Sequence, residues 1–564
     1  MTTAPAPEVL VPSPVEWTGD AVGVVDTPSP GGAVRAPGVQ VTGWVRFPLG
    51  PVESVRVSVT WPDGRGRTVS ARPYVPRPDV AALEGSTGFF TGFSAWVPVR
   101  EDRPAHERGA LEVVARSADG AEWRTEPRSF VLAASPMAPS GQRRAAADAL
   151  RGPARWRRGD PSRVFVATHH LGLGGGQLYL HELLRGLVHG HGMTATVAAP
   201  EDGLLADDLT RWGCEVAEVG PYPVNDVDRY VAFVRHLAWR MRRSGAGSVL
   251  VNTLGAMPAA EAARVAGLPA VWAVHESFDL GHYSAIVAPP SGGPAALRSR
   301  WPVALRSAAA VVFEAHATRE LFAGHTRRGR GVVIPYGVDT SSFPDPGTAT
   351  RRAPRLRATL GLPVAADVLV SVGTFEQRKG QALLVEAFAQ VAADHPNAVL
   401  VLVGRTDDAY SRALERRVSE RDLADRIRLV PLTPDLDPWY AAADVFISVS
   451  DVESMPRTML EAMGHGLPVL STGVFGVPEL VRDGRDGWLF EADSLGSLME
   501  ALDRVLSLPA EERDAAGRSA SQRVHECYDS AGYVTAFARL LPGLATDPDV
   551  LPGDLLGSSG RPGA

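Results

Sequence analysis

The pattern of apolar and polar positions changes period near residue 160. Before it, short stretches alternate, apolar then polar, at residues 39–45, 52–60, 95–99, 109–116 and 128–132, with turn signals such as Pro62-Asp-Gly64 and Ala118-Asp-Gly120 between them. This spacing predicts a small antiparallel β-sandwich over residues 21–135. Trp44, Trp61, Trp96 and Trp123 are expected to pack within it, and residues 77–80 and 88–93 to form a recognition loop without an assigned ligand.

After residue 162 the runs are continuously apolar and each leads into a loop and a helical pattern: 163–168, 194–199, 248–252, 270–274 and 309–313, then a second series at 367–373, 398–404, 426–430 and 445–449. Strands alternating with helices predict α/β lobes with parallel sheets, where ligands bind outside the carboxyl ends of the strands. Residues 443–470 give the clearest unit. Val445, Ile447 and Val449 form a strand, residues 450–455 a polar loop, and a helix follows with Pro456 expected at its first position. Gly464 and Gly466 end that helix before the next strand.

The domains expected are a disordered tail (1–20), the sandwich (21–135), an Arg-rich linker (136–161), a first Rossmann-like lobe (162–335), a second (336–545) with a final helix at 533–541, and a disordered tail (546–564). A net charge of -7 argues against a nucleic-acid partner, since such proteins carry a basic excess. The two cysteines, Cys214 and Cys527, are too far apart in sequence to suggest a disulfide framework or a zinc site, and fit a reducing, cytoplasmic setting. The start of the chain lacks a signal-peptide pattern, and no run of about 18 apolar residues exists to span a membrane. Arg143, Arg144, Arg151, Arg155, Arg157 and Arg158 make the linker basic, so peripheral contact with anionic lipid on the inner face of a membrane is a further expectation. Among 57 basic residues there is one lysine, Lys379. A single compact ammonium points to a position that needs a point charge.

The chemistry follows from the loops. Glu453 and Glu461 frame a helix start whose first amides suit a phosphate, while the carboxylates suit sugar and ribose hydroxyls. The backbone around Ser454, Met455 and Pro456 would line that anion. The loop Gly373-Thr-Phe-Glu-Gln-Arg378-Lys379 brings two cations, expected opposite that helix start, to neutralise a leaving diphosphate without a metal ion. Asp226-Val-Asp228 and Asp435-Leu-Asp437 precede helical stretches and are expected as caps rather than metal ligands. The glycine-rich turn at Gly172–Gly176 lacks the G-x-G-x-x-G spacing of a dinucleotide site, which argues against a redox enzyme using NAD.

The Glu453-x7-Glu461 pair resembles the signature of retaining, nucleotide-sugar-dependent glycosyltransferases of the GT-B fold, the "glycosyl transferases group 1" family (glycosyltransferase family 4-like) that includes glycogen and sucrose-phosphate synthases. Ile334-Pro-Tyr-Gly-Val-Asp339 is similar to that family's crossover between lobes, and Gly175-Gly176 to its glycine loop. The resemblance implies a nucleoside diphosphate sugar on the second lobe and a carbohydrate or lipid-linked acceptor on the first. It places His275 near the transferred sugar and Leu432 by the nucleobase, and requires no cofactor. The family's arginine after the strand glycine is Thr374 here, and its phosphate role passes to Arg378. Transfer with retention is expected along a front-face path. A nucleotide-sugar epimerase and a non-catalytic carbohydrate-binding protein are the alternatives.

Overall fold

The structure, a computed structural model, describes residues 22–556 apart from 30–32, 36–37, 48–49, 85–89, 100–102, 105, 134–139, 154, 225, 288–296, 298–299 and 344–353. The chain falls into two compact units. One combines residues 1–135, 373–432 and 491–506, and the other residues 136–372, 433–490 and 507–564.

The N-terminal domain has nine strands: β1 (Val22–Thr27), β2 (Ala33–Arg35), β3 (Gly38–Arg46), β4 (Val52–Thr60), β5 (Gly66–Val75), β6 (Gly92–Pro98), β7 (Arg108–Ser117), β8 (Glu122–Arg124) and β9 (Arg128–Ala133). They form one continuous sheet in the order β1-β3-β6-β5-β4-β7-β9-β2, with β8 on β7, rather than two separate layers. The expected sandwich is thus a half-barrel, and β5 is the reason. Its first half pairs with β4, Gly66 opposite Thr60 through Ala71 opposite Val55, and its second half turns onto β6 at Arg72 and Val75. Pro73 and Tyr74, at φ 58, interrupt the strand where the register shifts, and such an irregularity bends a strand around a corner. Val41, Val57, Val97, Val113 and Phe130 fill the interior. Trp61 packs edge-on to Phe130 and Trp123 tilts on Phe47, as expected of core tryptophans. Of the expected recognition loop, Arg77 is paired with Asp26 and residues 85–89 lie outside the described residues. Phe90 packs edge-on against Tyr410 of the same compact unit, ring centroids 5.6 Å apart.

The linker also departs from expectation. Residues Ser140–Ala149 form a helix, and Leu150 beyond it is wholly buried in the core of the neighbouring sheet. An apolar anchor every turn or so turns a basic segment into packed structure. At the other end, Pro552–Leu556 is helical within the tail expected to be disordered, and the helix expected at 533–541 runs Ser530–Thr546.

Seven parallel strands follow: β10 (Asp160–Ala167), β11 (Thr194–Ala199), β12 (Glu215–Glu218), β13 (Ala246–Asn252), β14 (Ala270–Val274), β15 (Ala310–Phe313) and β16 (Gly331–Val333), in the order β12-β11-β10-β13-β14-β15-β16. A third sheet holds β17 (Asp367–Val372), β18 (Ala398–Arg405), β19 (Ile427–Pro431), β20 (Val445–Ser448), β21 (Val469–Thr472) and β22 (Gly487–Phe490), in the order β19-β18-β17-β20-β21-β22. Strands such as β13 are buried along their whole length, as parallel strands covered by helices must be. In each sheet the strand order reverses beside its first strand, β10 or β17. Loops leaving such strands lie at topological switch points, the usual ligand crevice of an open α/β sheet.

Under the seven-stranded sheet, Glu261 is completely buried and accepts from Tyr230 at 2.7 Å, Arg264 at 3.1 Å and the buried Arg300 at 3.1 Å. Removing one member of such a cluster strands the others without a counter-charge. Glu261→Ala should cost roughly 3 to 5 kcal/mol, read as a lower urea midpoint with the far-ultraviolet spectrum retained.

Candidate active site

The loop after β10 leads into the helix Gly175–Arg185. Gly176 is closely hemmed in: a Cβ there would lie 3.1 Å from Thr253 Cγ2 and 3.3 Å from His275 Cδ2, so both would have to give way by a few tenths of an ångström. Asn252 at the end of β13 donates to Gly176 O at 2.9 Å, and its Oδ1 is 2.8 Å from His275 Nε2. The other ring nitrogen of His275 is 2.8 Å from Glu314. Both nitrogens of this histidine, expected beside the transferred sugar, are therefore engaged by protein, and Tyr179 stacks edge-on to its ring at 4.4 Å.

Thr253 follows β13 at φ 74, a strained conformation for a β-branched residue of the kind found at functional sites. Trp272 Nε1 holds its carbonyl at 2.8 Å, and its hydroxyl is 2.7 Å from His169 Nδ1. Glu276 receives Leu254 N on both carboxylate oxygens at 3.0 Å and His275 N at 3.1 Å. Electrostatics separates the histidines. Burial, with repulsion from His170 and His275, pushes His169 down to about 4, so it is neutral at neutral pH. Burial also opposes charge on His275, but Glu314 outweighs it through attraction and hydrogen bonding and, with Glu276, raises its pKa above the ordinary value.

The loop between β20 and the helix Arg457–Gly464 is fixed as tightly. Ser454 is buried with its hydroxyl 3.1 Å from that of Thr318, which lies 2.7 Å from Ser277 Oγ. A Cβ on Gly476 would fall 1.8 Å from Ser454 O, so this backbone approach requires glycine. Met455 is buried. Pro456 sits one position earlier than expected, as the N-cap residue with ψ 116, because its extended backbone ends the loop and the helix starts at Arg457. No side chain caps this helix start. Glu453 precedes it, and its carbonyl accepts from Gly476 N at 3.4 Å.

Glu461 lies one turn into that helix. Its Oε1 takes Arg457 Nε at 2.6 Å and its Oε2 takes Tyr440 OH at 3.1 Å. Arg457 also bridges Glu182 of the helix Gly175–Arg185 at 2.7 Å and donates to the Tyr336 hydroxyl, which itself donates to Glu182 at 2.6 Å. Burial works against charge on Arg457, yet Tyr336, Glu182 and Glu461 together keep it firmly protonated. Glu479 caps another helix by accepting from His316 N and Ala317 N, each at 2.8 Å.

In the other compact unit, Gly373 N donates to Val403 O at 2.9 Å and Phe375 N to Gly404 O at 3.1 Å, which fixes the loop after β17. A Cβ on Gly404, at φ +126, would strike Gly373 O at 2.1 Å. The stem of Lys379 runs beside Gly373, its Cδ and Cε each 3.6 Å from where a Cβ would stand. Arg378 pairs with Glu376 at 2.7 Å. Leu432 is 57% exposed, its N–H on Arg405 O at 2.9 Å. Asp226 caps the helix Val227–Arg243 as expected, whereas Asp435 does not cap the next helix, which begins at Asp437 behind Leu436. Among the described residues no group of three His, Cys, Asp or Glu side chains could hold a metal ion, and no helix is long and apolar enough to cross a membrane.

The sequence reading did not single out His169, Glu276, Glu314, Glu182, Tyr336 or Arg457 as site residues. Glu314 had a signal: it directly follows β15 as His275 follows β14, at the same rim of one parallel sheet. Arg457 had only a local one, its i,i+4 spacing to Glu461, because its other partners, Glu182 and Tyr336, lie 275 and 121 positions away.

Two Rossmann-like parallel sheets, preceded along the chain by a β half-barrel, define the GT-B architecture. The Glycosyltransferase Family 4 model matches residues 173–342 and the Glycosyl transferases group 1 model residues 353–523, together more than half of the chain. The chain belongs to the glycosyl transferases group 1 family. It is 32% identical over 174 residues to the lipopolysaccharide core biosynthesis mannosyltransferase LpsB of Rhizobium meliloti, covering 30% of this chain and 48% of that protein. It is 34% identical over 198 residues to the D-inositol 3-phosphate glycosyltransferase of Thermomonospora curvata, covering 33% and 46%. The chain thus spans about half the length of the curated relatives it matches. Among solved structures, Anabaena Alr3699/HepE in complex with UDP and glucose aligns with a TM-score of 0.57 at 21% identity, over 68% of this chain and 100% of that one. Sucrose-phosphate synthase from Thermosynechococcus elongatus gives 0.56 at 20% identity, over 68% and 99%. At these identities the likeness is one of fold.

The His275–Glu314 pair makes stability depend on pH. Because folding raises the His275 pKa, its contribution is complete below the ordinary value of 6.5 and fades as pH rises through the higher native one. Glu314→Gln leaves only Glu276 to oppose burial, so the His275 ring resonances followed by NMR should titrate at a lower pH than in the unaltered chain.

Proposed function

We propose that this protein is a retaining glycosyltransferase that moves a sugar from a nucleoside diphosphate donor to a hydroxyl of a carbohydrate or lipid-linked acceptor, in glycan, cell-surface polysaccharide or glycolipid biosynthesis. The observation that carries this reading is the uncapped start of the helix Arg457–Gly464 behind Glu453, in a chain of this family. A helix start offers amide donors and a positive dipole end to an anion, and a diphosphate is the anion such a donor brings. That relatives act on mannose and inositol phosphate by name, and that a fold neighbour was solved with UDP and glucose, supports a nucleotide-sugar donor.

In this reading Lys379 and Arg378 neutralise the charge that develops on the leaving diphosphate, the service a metal ion gives elsewhere, and Gly373 leaves room for the lysine stem. Glu453 meets sugar hydroxyls. Glu461, with one partner on each oxygen, retains lone pairs for the ribose. Leu432 lies by the base. Gly175 and Gly176 let the acceptor approach the backbone, and His275 holds Asn252, which holds Gly176. Catalysis is then electrostatic stabilisation and positioning, with the leaving phosphate assisting deprotonation of the acceptor. Two distant free thiols suit a cytoplasmic reaction.

The test is a screen of UDP-, GDP- and ADP-sugars for slow hydrolysis and for acceptor-dependent release of the nucleotide. Donor isomerisation without acceptor would identify an epimerase instead, and inertness toward every donor a binding protein. With an active donor, Lys379→Ala should slow turnover by about 10²- to 10³-fold at an unchanged melting temperature. Near-normal turnover would remove Lys379 from the mechanism. Gly476→Ala should also depress turnover, because its Cβ must displace the Ser454 carbonyl and the loop that ends at Pro456.

A further inference from the structure

Apart from these loops, one cavity of about 550 Å³ carries unusual chemistry. It lies against the linker helix, and Arg151, Arg157, Arg235 and Arg242 line it over an apolar floor that includes Pro153 and Val265. Among the described lining residues there is no carboxylate. One acid stands nearby: Asp148 pairs with Arg151 at 2.7 Å, so the four guanidinium groups keep a clear positive excess.

The frame of this cavity is built, although its arginines are exposed. Leu150 is wholly buried and its carbonyl accepts from Arg264 at 2.6 Å. A Cβ on Gly152 would meet Arg264 O at 2.4 Å, and Arg157 N donates to Gly267 O at 2.7 Å. Gly267, at φ +75, sits where a side chain would strike Pro153 Cγ at 2.6 Å. The linker backbone is thus clamped to the end of the helix Met257–Ala266. From the adjacent helix Val227–Arg243, Arg235 and Arg242 project seven residues apart, on one face, and Arg242 Nη1 is oriented by Val265 O at 3.3 Å. Four like charges converging on one concavity repel one another, and an anion relieves that repulsion. Guanidinium groups bind phosphate oxygens two at a time, so four of them suit more than one phosphate.

We propose that the arginine-lined cavity is a binding site for clustered phosphates, supplied either by the head groups of an anionic lipid layer or by a free diphosphate. The donor loops are not involved, so the site stands or falls independently of the reaction proposed above.

The test compares the full chain with Arg235→Ala/Arg242→Ala. Two probes separate the sources: co-sedimentation with vesicles of phosphatidylglycerol and phosphatidylcholine against phosphatidylcholine alone, and calorimetric titration with inorganic pyrophosphate. The double variant should weaken binding by about thirtyfold, the loss expected from two basic residues at an anionic surface. A loss confined to vesicles assigns the site to lipid head groups, one confined to pyrophosphate assigns it to a free diphosphate, and a loss on both supports the shared chemistry. Absence of binding to both probes by the unaltered chain, or equal binding by the double variant, overturns the proposal. Should the double variant melt early, Arg157→Ala on the clamped loop carries the same test, with about a fivefold loss expected.

Discussion

A single guanidinium, that of Arg457, carries the geometry of the candidate site. It is shared by Glu182, Glu461 and Tyr336, and it stands on the first residue of the helix whose start faces the proposed phosphate. Taking a cation and two carboxylates out of water is costly, and such clusters add little stability over a packed apolar set. What the cluster supplies is direction. A helix held at its first residue cannot slide or rotate there, and Glu182 lies two turns along the helix that begins at Gly175. Both glycine-lined loops on this part of the molecule are thereby referred to one fixed point. The loop before Arg457 is held from its other side by the Ser454 hydroxyl on Thr318 and by the near-contact of Gly476 with Ser454 O.

At the rim of the seven-stranded sheet the same economy appears with histidines. His169 and His275 stand close enough to repel, yet their surroundings move their pKa values in opposite directions, that of His169 down through burial and that of His275 up through Glu314 against its own burial. Titratable neighbours whose environments pull them apart are a usual sign of divided roles. His275 is locked to Asn252 and Glu314 and, through Asn252, supports the backbone of Gly176. Neutral His169 keeps a hydrogen bond with strained Thr253, and its protonation state suits it to accept from a hydroxyl.

Much of this was legible in the chain. Continuous apolar runs located the parallel strands, and the rule that ligands lie beyond their carboxyl ends placed attention on Gly176, His275, Gly373 and Glu453. The alternating runs found β3, β4, β6, β7 and β9. They missed β5, because Arg67, Arg72 and Pro73 break its alternation, and without β5 two halves of one rolled sheet look like two layers. The linker helix escaped for a related reason: its arginines and alanines read as spacer, and the burial of Ala146 and Leu150 shows that it packs. The pairing of Arg457 with Glu182 and Tyr336 was hidden because long-range pairing leaves no local trace. The one-residue displacement of Pro456 is the ordinary ambiguity of a helix end, where first-turn and capping positions tolerate the same residue.

The edge-on contact between Phe90 and Tyr410 has a bearing on how such proteins diversify. Phe90 belongs to the half-barrel domain, and Tyr410 to the first turn of the helix Ala409–Glu420 after β18. An aromatic pair of this kind buries a large apolar area on both partners. Exchanging the half-barrel for that of a relative therefore requires a matching residue at position 410, and chimeras that ignore it inherit an exposed ring and a tendency to aggregate. The front domain and the helix behind it are constrained to vary together.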